Sequence, residues 1–275
     1  MRALTLHEQA AIRNASNFSS IDYMQRHVPA LFASFPHPKM SNRYGFTDTY
    51  ELLRHLIGRG FVLDSVQQVG KGKFGKLMMR LSHPRFVRHG DGAVQLVVID
   101  SHDGTSSFTI YLGWIRFACA NGLILGDGLF QRKVKHTQPD LVAQVILDMQ
   151  EGLEAASQVS GVVSRMRSVE LGTNKILDFA LDVAKQRFDF SDHFDAENRY
   201  LRAANALTTR RRIEDRSNDV YTVLNVIQEN ALRGGITYTH NGVHKIKPIS
   251  GIDAQVRINR AAWERAEKFL ELEAA

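Results

Sequence analysis

The feature that most constrains this chain is a double change of hydrophobic period. Apolar residues recur at helical spacing up to about residue 60. They then alternate with period two from Phe61 to about Lys135, and return to helical spacing after Pro139. A helix buries one stripe and a strand alternates its faces, so a strand-patterned block between helical blocks cannot be an all-helical bundle or a βαβ array. The pattern predicts an α+β fold. An antiparallel β-sheet with β-hairpins over about 61–135 is packed by helices, and a mostly helical C-terminal half with one late hairpin follows.

Within the first block, Ile21, Met24, Val28, Leu31 and Phe32 mark a helix that Pro29 bends or ends. Asp48 stands three residues before Glu51, a capping-box-like start. Leu52, Leu53, Leu56 and Ile57 form the buried stripe of that helix, and Gly58 and Gly60 end it. Two strands, 61–69 and 76–82, are joined by the glycine-rich basic turn 70–75. A hairpin of 93–102 and 105–112 reads as closing on Asp103-Gly104 as a type I′ turn, which pairs Ile99 with Phe108 and Val97 with Ile110. That register leaves one face apolar and the other amphipathic, as for a sheet covered on one side. A short helix over 113–120, capped by Asn121-Gly122, and strands at 123–125 and 129–135 complete the block.

Helices are expected over 140–167, 173–188 (from a Thr cap), 217–232 and 256–272, the last burying Ile258, Ala262, Trp263, Ala266, Phe269 and Leu270. A hairpin over 236–249 turns on Asn241-Gly242. Residues 189–216 are polar and read as a mobile connection. The division is 1–137 for the sheet region and 138–275 for the mainly helical region, packed as one unit.

Composition narrows the function classes. Cys119 is the only cysteine, which excludes an intrachain disulfide and cysteine-based zinc sites. The N-terminal residues lack the apolar core of a signal peptide, and no stretch approaches eighteen apolar residues, so a cytoplasmic protein without membrane spans is expected. Lys and Arg number 35 against 29 Asp and Glu, a modest excess compatible with an anionic partner.

That excess gathers on and around the sheet: Lys71, Lys73, Lys76, Arg80, Arg85, Arg88, Arg116, Arg132, Lys133 and Lys135. Arg210, Arg211 and Arg212 follow in the polar connection. Alternation sets Met78, Arg80 and Ser82 opposite Leu77, Met79 and Leu81, and gives Lys133 and Lys135 a common face. Cations along a path suit phosphates, and Phe74, Phe86 and Tyr111 could stack unpaired bases. The bland alternatives are a lysine-guarded sheet edge and a surface network of Arg210–Arg212 with Glu214 and Asp215. No cofactor or metal is expected. His102-Asp103 is turn chemistry, His240 and His244 become only diagonal neighbours across their turn, and Cys119 reads as a small buried hydrophobe. The string G-x-G-x-x-G at 70–75 joins two strands, so it is not a dinucleotide loop.

The run 101–107, the block from Gly113 to Asn121-Gly122-Leu123, Gln228-Glu229-Asn230 before Gly234-Gly235, Gly251-Ile252-Asp253, Arg257-Ile258-Asn259 and Trp263 resembles a known family. That family is the domain of unknown function 932 of phages and plasmids, in its cryptic-prophage branch. The similarity spreads over about residues 20–272. One departure is Ala120 beside Asn121, where the family pattern carries Thr. The resemblance implies a mobile-element context and brings no catalytic residues with it. The order of hairpins then helix is also similar in layout to Rad52-type single-strand annealing proteins, which work as rings on single-stranded DNA.

The leading expectation is therefore a non-enzymatic nucleic-acid-binding protein of a mobile element, preferring single-stranded DNA, serving recombination or replication, and a candidate homo-oligomer. The rival is an interaction protein that inhibits a host defence or repair enzyme, and the third reading is a metal-dependent nuclease.

Overall fold

The computed structural model describes residues 18–86, 88–117, 121–125, 130–134 and 141–272. Helix α1 (Phe18–His27) ends before Pro29, whose missing N–H suits the first turn of the 3-10 segment Pro29–Phe32. Helix α2 (Thr49–Gly58) is capped by the Asp48 carboxylate, which accepts from the Glu51 backbone N–H at 2.9 Å. Leu52, Leu53 and Leu56 are buried as the stripe requires, but Ile57 is half exposed.

Strands β1 (Val62–Val69), β2 (Lys76–Ser82), β3 (Arg88–His89), β4 (Gly92–Asp100), β5 (Phe108–Arg116), β6 (Asn121–Ile124) and β7 (Gln131–Val134) form one sheet. Its order is β1-β2-β4-β5-β6, with β3 paired to β4 and β7 to β5. The register sets Val69 opposite Lys76, Leu77 opposite Asp100 and Thr109 opposite Lys133. Every residue of β4 is buried, so both faces of that strand are covered rather than one.

Two expectations for this block fail for identifiable reasons. The β4–β5 connection is the whole of 101–107, not a two-residue turn. Gly104 has φ +73° while Asp103 stays at negative φ, and type I′ needs both positive. The loop is closed by side chains instead: Ser101 Oγ accepts from the Ser106 N–H at 3.0 Å, and Asp103 accepts from the Thr105 N–H at 3.0 Å. The helix expected at 113–120 is instead β5 continuing to Arg116. Trp114 holds it extended, fully buried, with its Nε1–H donating to Tyr221 Oη at 2.9 Å.

Helices α3 (Leu141–Ser168), α4 (Thr173–Arg187), α5 (Ala196–Leu207), α6 (Val220–Arg233) and α7 (Ile252–Leu272) make the second half. Its hairpin pairs β8 (Thr237–Thr239) with β9 (Val243–Lys245). Gly172, not Thr173, is the N-cap of α4, and Asp219 caps α6 by accepting from the Thr222 N–H at 2.8 Å. The six residues expected to bury on α7 all do. The hairpin pairs Thr239 with Val243, one residue away from the expected register, because Asn241 takes φ +49° within a wider loop. The stretch 189–216, expected to be a mobile connection, holds α5 and a 3-10 turn at Ile213–Asp215.

The chain divides into two compact units. The first takes the described residues of Met1–Arg88, Ala93–Gly113 and Asp127–Ser157; the second takes those of His89–Gly92, Trp114–Gly126 and Gln158–Ala275. Among the described residues, no helix is long and apolar enough to cross a membrane.

Candidate nucleic-acid interface

The cations singled out from sequence fall into three physical classes. The first stands at one end of the sheet. Antiparallel pairing brings the β1–β2 turn, the start of β2, the 101–107 loop and the last residues of β7 to that end. Lys71 and Lys73 are exposed on the turn, Lys76 opens β2 half-buried, and Lys133 is exposed on β7. Lys133 stands three strand spacings from β2, roughly 14 Å.

The turn that carries Lys71 and Lys73 is held by its own sequence. Gly70 and Gly72 take φ +92° and +67°, open to glycine at little cost. Gln68, buried, donates its Nε2–H to Gly72 O at 2.8 Å, and its Oε1 accepts from the Ala30 N–H at 2.9 Å. One side chain thus ties the basic turn to the 3-10 segment before α2. The Phe74 ring, half-buried, meets His37 at 4.9 Å and Phe35 at 5.8 Å, both edge-on. Phe35 is 50% exposed, and Lys39 next to this cluster in sequence is exposed as well. Phe35, His37 and Lys39 were not singled out from sequence; the Phe35 and His37 rings reach Phe74 across the fold, and periodicity carries no such signal. The other proposed stacking rings are interior: Tyr111 is buried, and Phe86 packs on Phe61 at 5.8 Å.

The second class is internal. Arg80, on the face of β2 opposite Leu77, Met79 and Leu81, is buried: this face of β2 is covered too. Burial pulls its pKa down to about 10, partly offset by Asp64, so the charge persists at neutral pH. Asp64 is itself held by Gln95 Nε2–H at 2.6 Å and Ser82 Oγ–H at 3.2 Å. Arg116, only 2% exposed, donates from Nε to Asp91 and from Nη1 to Asp215, each at 2.7 Å. Burial opposes its charge, but those two hydrogen bonds prevail and hold its pKa above the ordinary arginine value. Asp91 also pairs with Arg167 and accepts from Tyr221 Oη–H at 3.0 Å. Neither Arg80 nor Arg116 can meet a polynucleotide in this arrangement.

The third class lies in the second unit. Arg212 grips Glu229 through both terminal nitrogens and reaches Asp215 at 3.6 Å. Arg211 donates from Nε to Asn230 Oδ1 at 2.7 Å and also to the Gly234 carbonyl, while Arg210 donates to the Arg216 carbonyl and Asn218 Oδ1. The surface pairing of this run with Glu214 and Asp215 therefore involves Arg212 and Asp215 alone. Arg132, in the first unit, is exposed and pairs with Glu151. Lys135 and Cys119 lie outside the described residues.

The histidines have structural partners. His102 is buried with Nε2 at 2.9 Å from Ala30 O, His240 meets Asp195 at 2.9 Å, and His244 stacks on Tyr238 at 5.0 Å. Among the described residues, no group of three or more His, Cys, Asp or Glu is placed to hold a metal ion.

Comparison with known proteins places these features in a family. The family model described as "Domain of unknown function (DUF932)" matches residues 36–263. The chain belongs to the DUF932 family. Two relatives of Escherichia coli (strain K12), the UPF0380 proteins YafZ and YfjQ, are each 30% identical to it over 253 residues, covering 89% of both chains. No solved structure matches significantly. The DUF932 match spans the sheet, the Lys71–Lys73 turn, the arginine run and most of α7.

Proposed function

We propose that this DUF932 protein binds single-stranded nucleic acid, DNA in preference, through the basic and aromatic end of its sheet, as a non-enzymatic component of a mobile element's recombination or replication. The observation that carries the reading is Phe35, half exposed and edge-on to Phe74, the ring that ends the turn bearing Lys71 and Lys73. Unpaired bases stack on exposed rings without regard to sequence, and lysines beside the rings contact the phosphates between those bases. A duplex hides its base faces, so this combination favours single strands. Gln68 bonds the turn carbonyls, so little backbone ordering opposes binding.

Fluorescence anisotropy with a labelled oligothymidine across a salt series tests the reading. Log affinity should fall linearly with log salt. Replacing Lys71 and Lys73 by Gln should reduce the slope by about 1.4, at about 0.7 per contact on single strands. Unchanged slope in that variant refutes the assignment.

A further inference from the structure

The second unit contains an open cavity of about 460 Å³ whose lining is Arg210, Arg211, Arg212, Ile213, Glu214 and Arg216. Four guanidiniums around one cavity repel one another, and counter-charges or an anionic ligand would offset that repulsion. Here the counter-charges are unevenly placed. Arg212 is matched by Glu229 and Asp215. Arg210 and Arg211 are anchored only on neutral oxygens, two main-chain carbonyls and the amide oxygens of Asn218 and Asn230. Among the described residues, no carboxylate forms an ion pair with Arg210, Arg211 or Arg216, and all three are exposed. The lining carboxylate Glu214 offsets at most one of these three charges.

This arrangement fixes the orientation of two planar donor groups while leaving their charge available. Each anchored guanidinium uses two of its nitrogens, and the remaining N–H donors are held in place for an incoming oxyanion. From this we infer that the cavity is a binding site for a pyrophosphoryl group, as in free pyrophosphate or a nucleoside di- or triphosphate. Adjacent phosphates in such a ligand share one bridging oxygen and enter one cavity together. The phosphates of a strand are separated by sugars and cannot enter one cavity as compactly. Ile213 is 71% exposed on the same lining and offers an apolar contact to a nucleoside. The inference is independent of the sheet-end reading, since every lining residue belongs to the second unit.

Isothermal titration of the full chain with sodium pyrophosphate, ATP, inorganic phosphate and sulfate tests it. Pyrophosphate should bind at least about tenfold more tightly than phosphate or sulfate, and Arg210→Gln with Arg216→Gln should weaken it by about tenfold or more. Arg216→Glu alone, at an exposed position, should do the same with Arg210 and Arg211 themselves unsubstituted. Lys71→Gln with Lys73→Gln should leave pyrophosphate binding intact. ATP tighter than pyrophosphate identifies a nucleotide ligand; equal affinities identify the bare group. Pyrophosphate no better than phosphate, affinity unaltered in both arginine variants, or stoichiometric displacement by oligothymidine would overturn the assignment.

Discussion

Arg116→Met is the perturbation that most sharply separates a structural arginine from a binding one. Arg116 lies at the end of β5 with its side chain 3% exposed, between Asp91 and Asp215 at 2.7 Å each. The two carboxylates do not lose equally when it goes. Asp91 is a third exposed and keeps Arg167 and the Tyr221 hydroxyl as partners. Asp215 is 2% exposed and keeps Arg212 alone among the salt bridges described, at 3.6 Å, with that guanidinium already committed to Glu229. Breaking one partner of a buried pair leaves a desolvated charge, which costs about 3–5 kcal/mol. At about 1.4 kcal/mol per decade, even the lower figure shifts the folding equilibrium by roughly a hundredfold. Urea denaturation followed by tryptophan fluorescence reads this directly, because both tryptophans, Trp114 and Trp263, are buried in the second unit with Arg116. Adding Asp215→Asn to Arg116→Met removes the stranded charge and should recover about 1 kcal/mol or more. A single-variant loss below about 1 kcal/mol, or a double variant no more stable than the single one, would refute the argument.

Other consequences follow from particular contacts. Burial pushes Asp100 from 3.8 up to about 7, against hydrogen bonds from Thr49 and the Ser101 N–H that favour its charged form. The folded chain then keeps a proton that the unfolded chain has released over this interval, so stability should fall as pH rises from about 4 to about 7. Asp100→Asn should flatten that part of a denaturation-versus-pH curve; an unchanged slope contradicts the assignment. A Cβ on Gly92 would lie 2.4 Å from the Trp114 ring, so Gly92→Ala should cost about 1–3 kcal/mol and alter the near-ultraviolet circular dichroism, with a wild-type spectrum and melting point the contrary result. Phe35→Ala should weaken oligothymidine binding by about 1–3 kcal/mol with no change in salt slope, since it removes stacking and no charge. Equal affinity in that variant would exclude Phe35 as a platform.

What the sequence disclosed was local, and what it hid was set by distant residues. The Asp48–Glu51 cap, the β1 and β2 strands and the apolar face of α7 each follow from residues within a few positions of one another, and each is found. Helix α5 was invisible because its buried face is mostly alanine, Ala203, Ala204 and Ala206 beside Leu207, in a stretch otherwise polar. β5 runs past the expected helix start because Trp114 meets Gly92 and Tyr221, contacts that periodicity does not encode. The same division governs the cations. Composition counts Arg80, Arg116 and Arg212 as basic surface, yet their surroundings are decided by Asp64, Asp91, Asp215 and Glu229. None of these pairings is local in sequence: Asp91 stands 25 and Asp215 99 residues from Arg116, and Glu229 17 from Arg212. Lys71 and Lys73 could be read correctly as exposed because a glycine-rich turn determines its own geometry.

The proposed binding of single-stranded DNA at the end of the sheet can be tested without any substitution by hydrogen–deuterium exchange of the full chain with and without a saturating oligothymidine. Slowed exchange is expected in peptides covering the 70–75 turn and the segment around Phe35 and His37, with little change in α6 and α7. Protection confined to other segments, or no protection at an oligonucleotide concentration where the strand is bound, would contradict it.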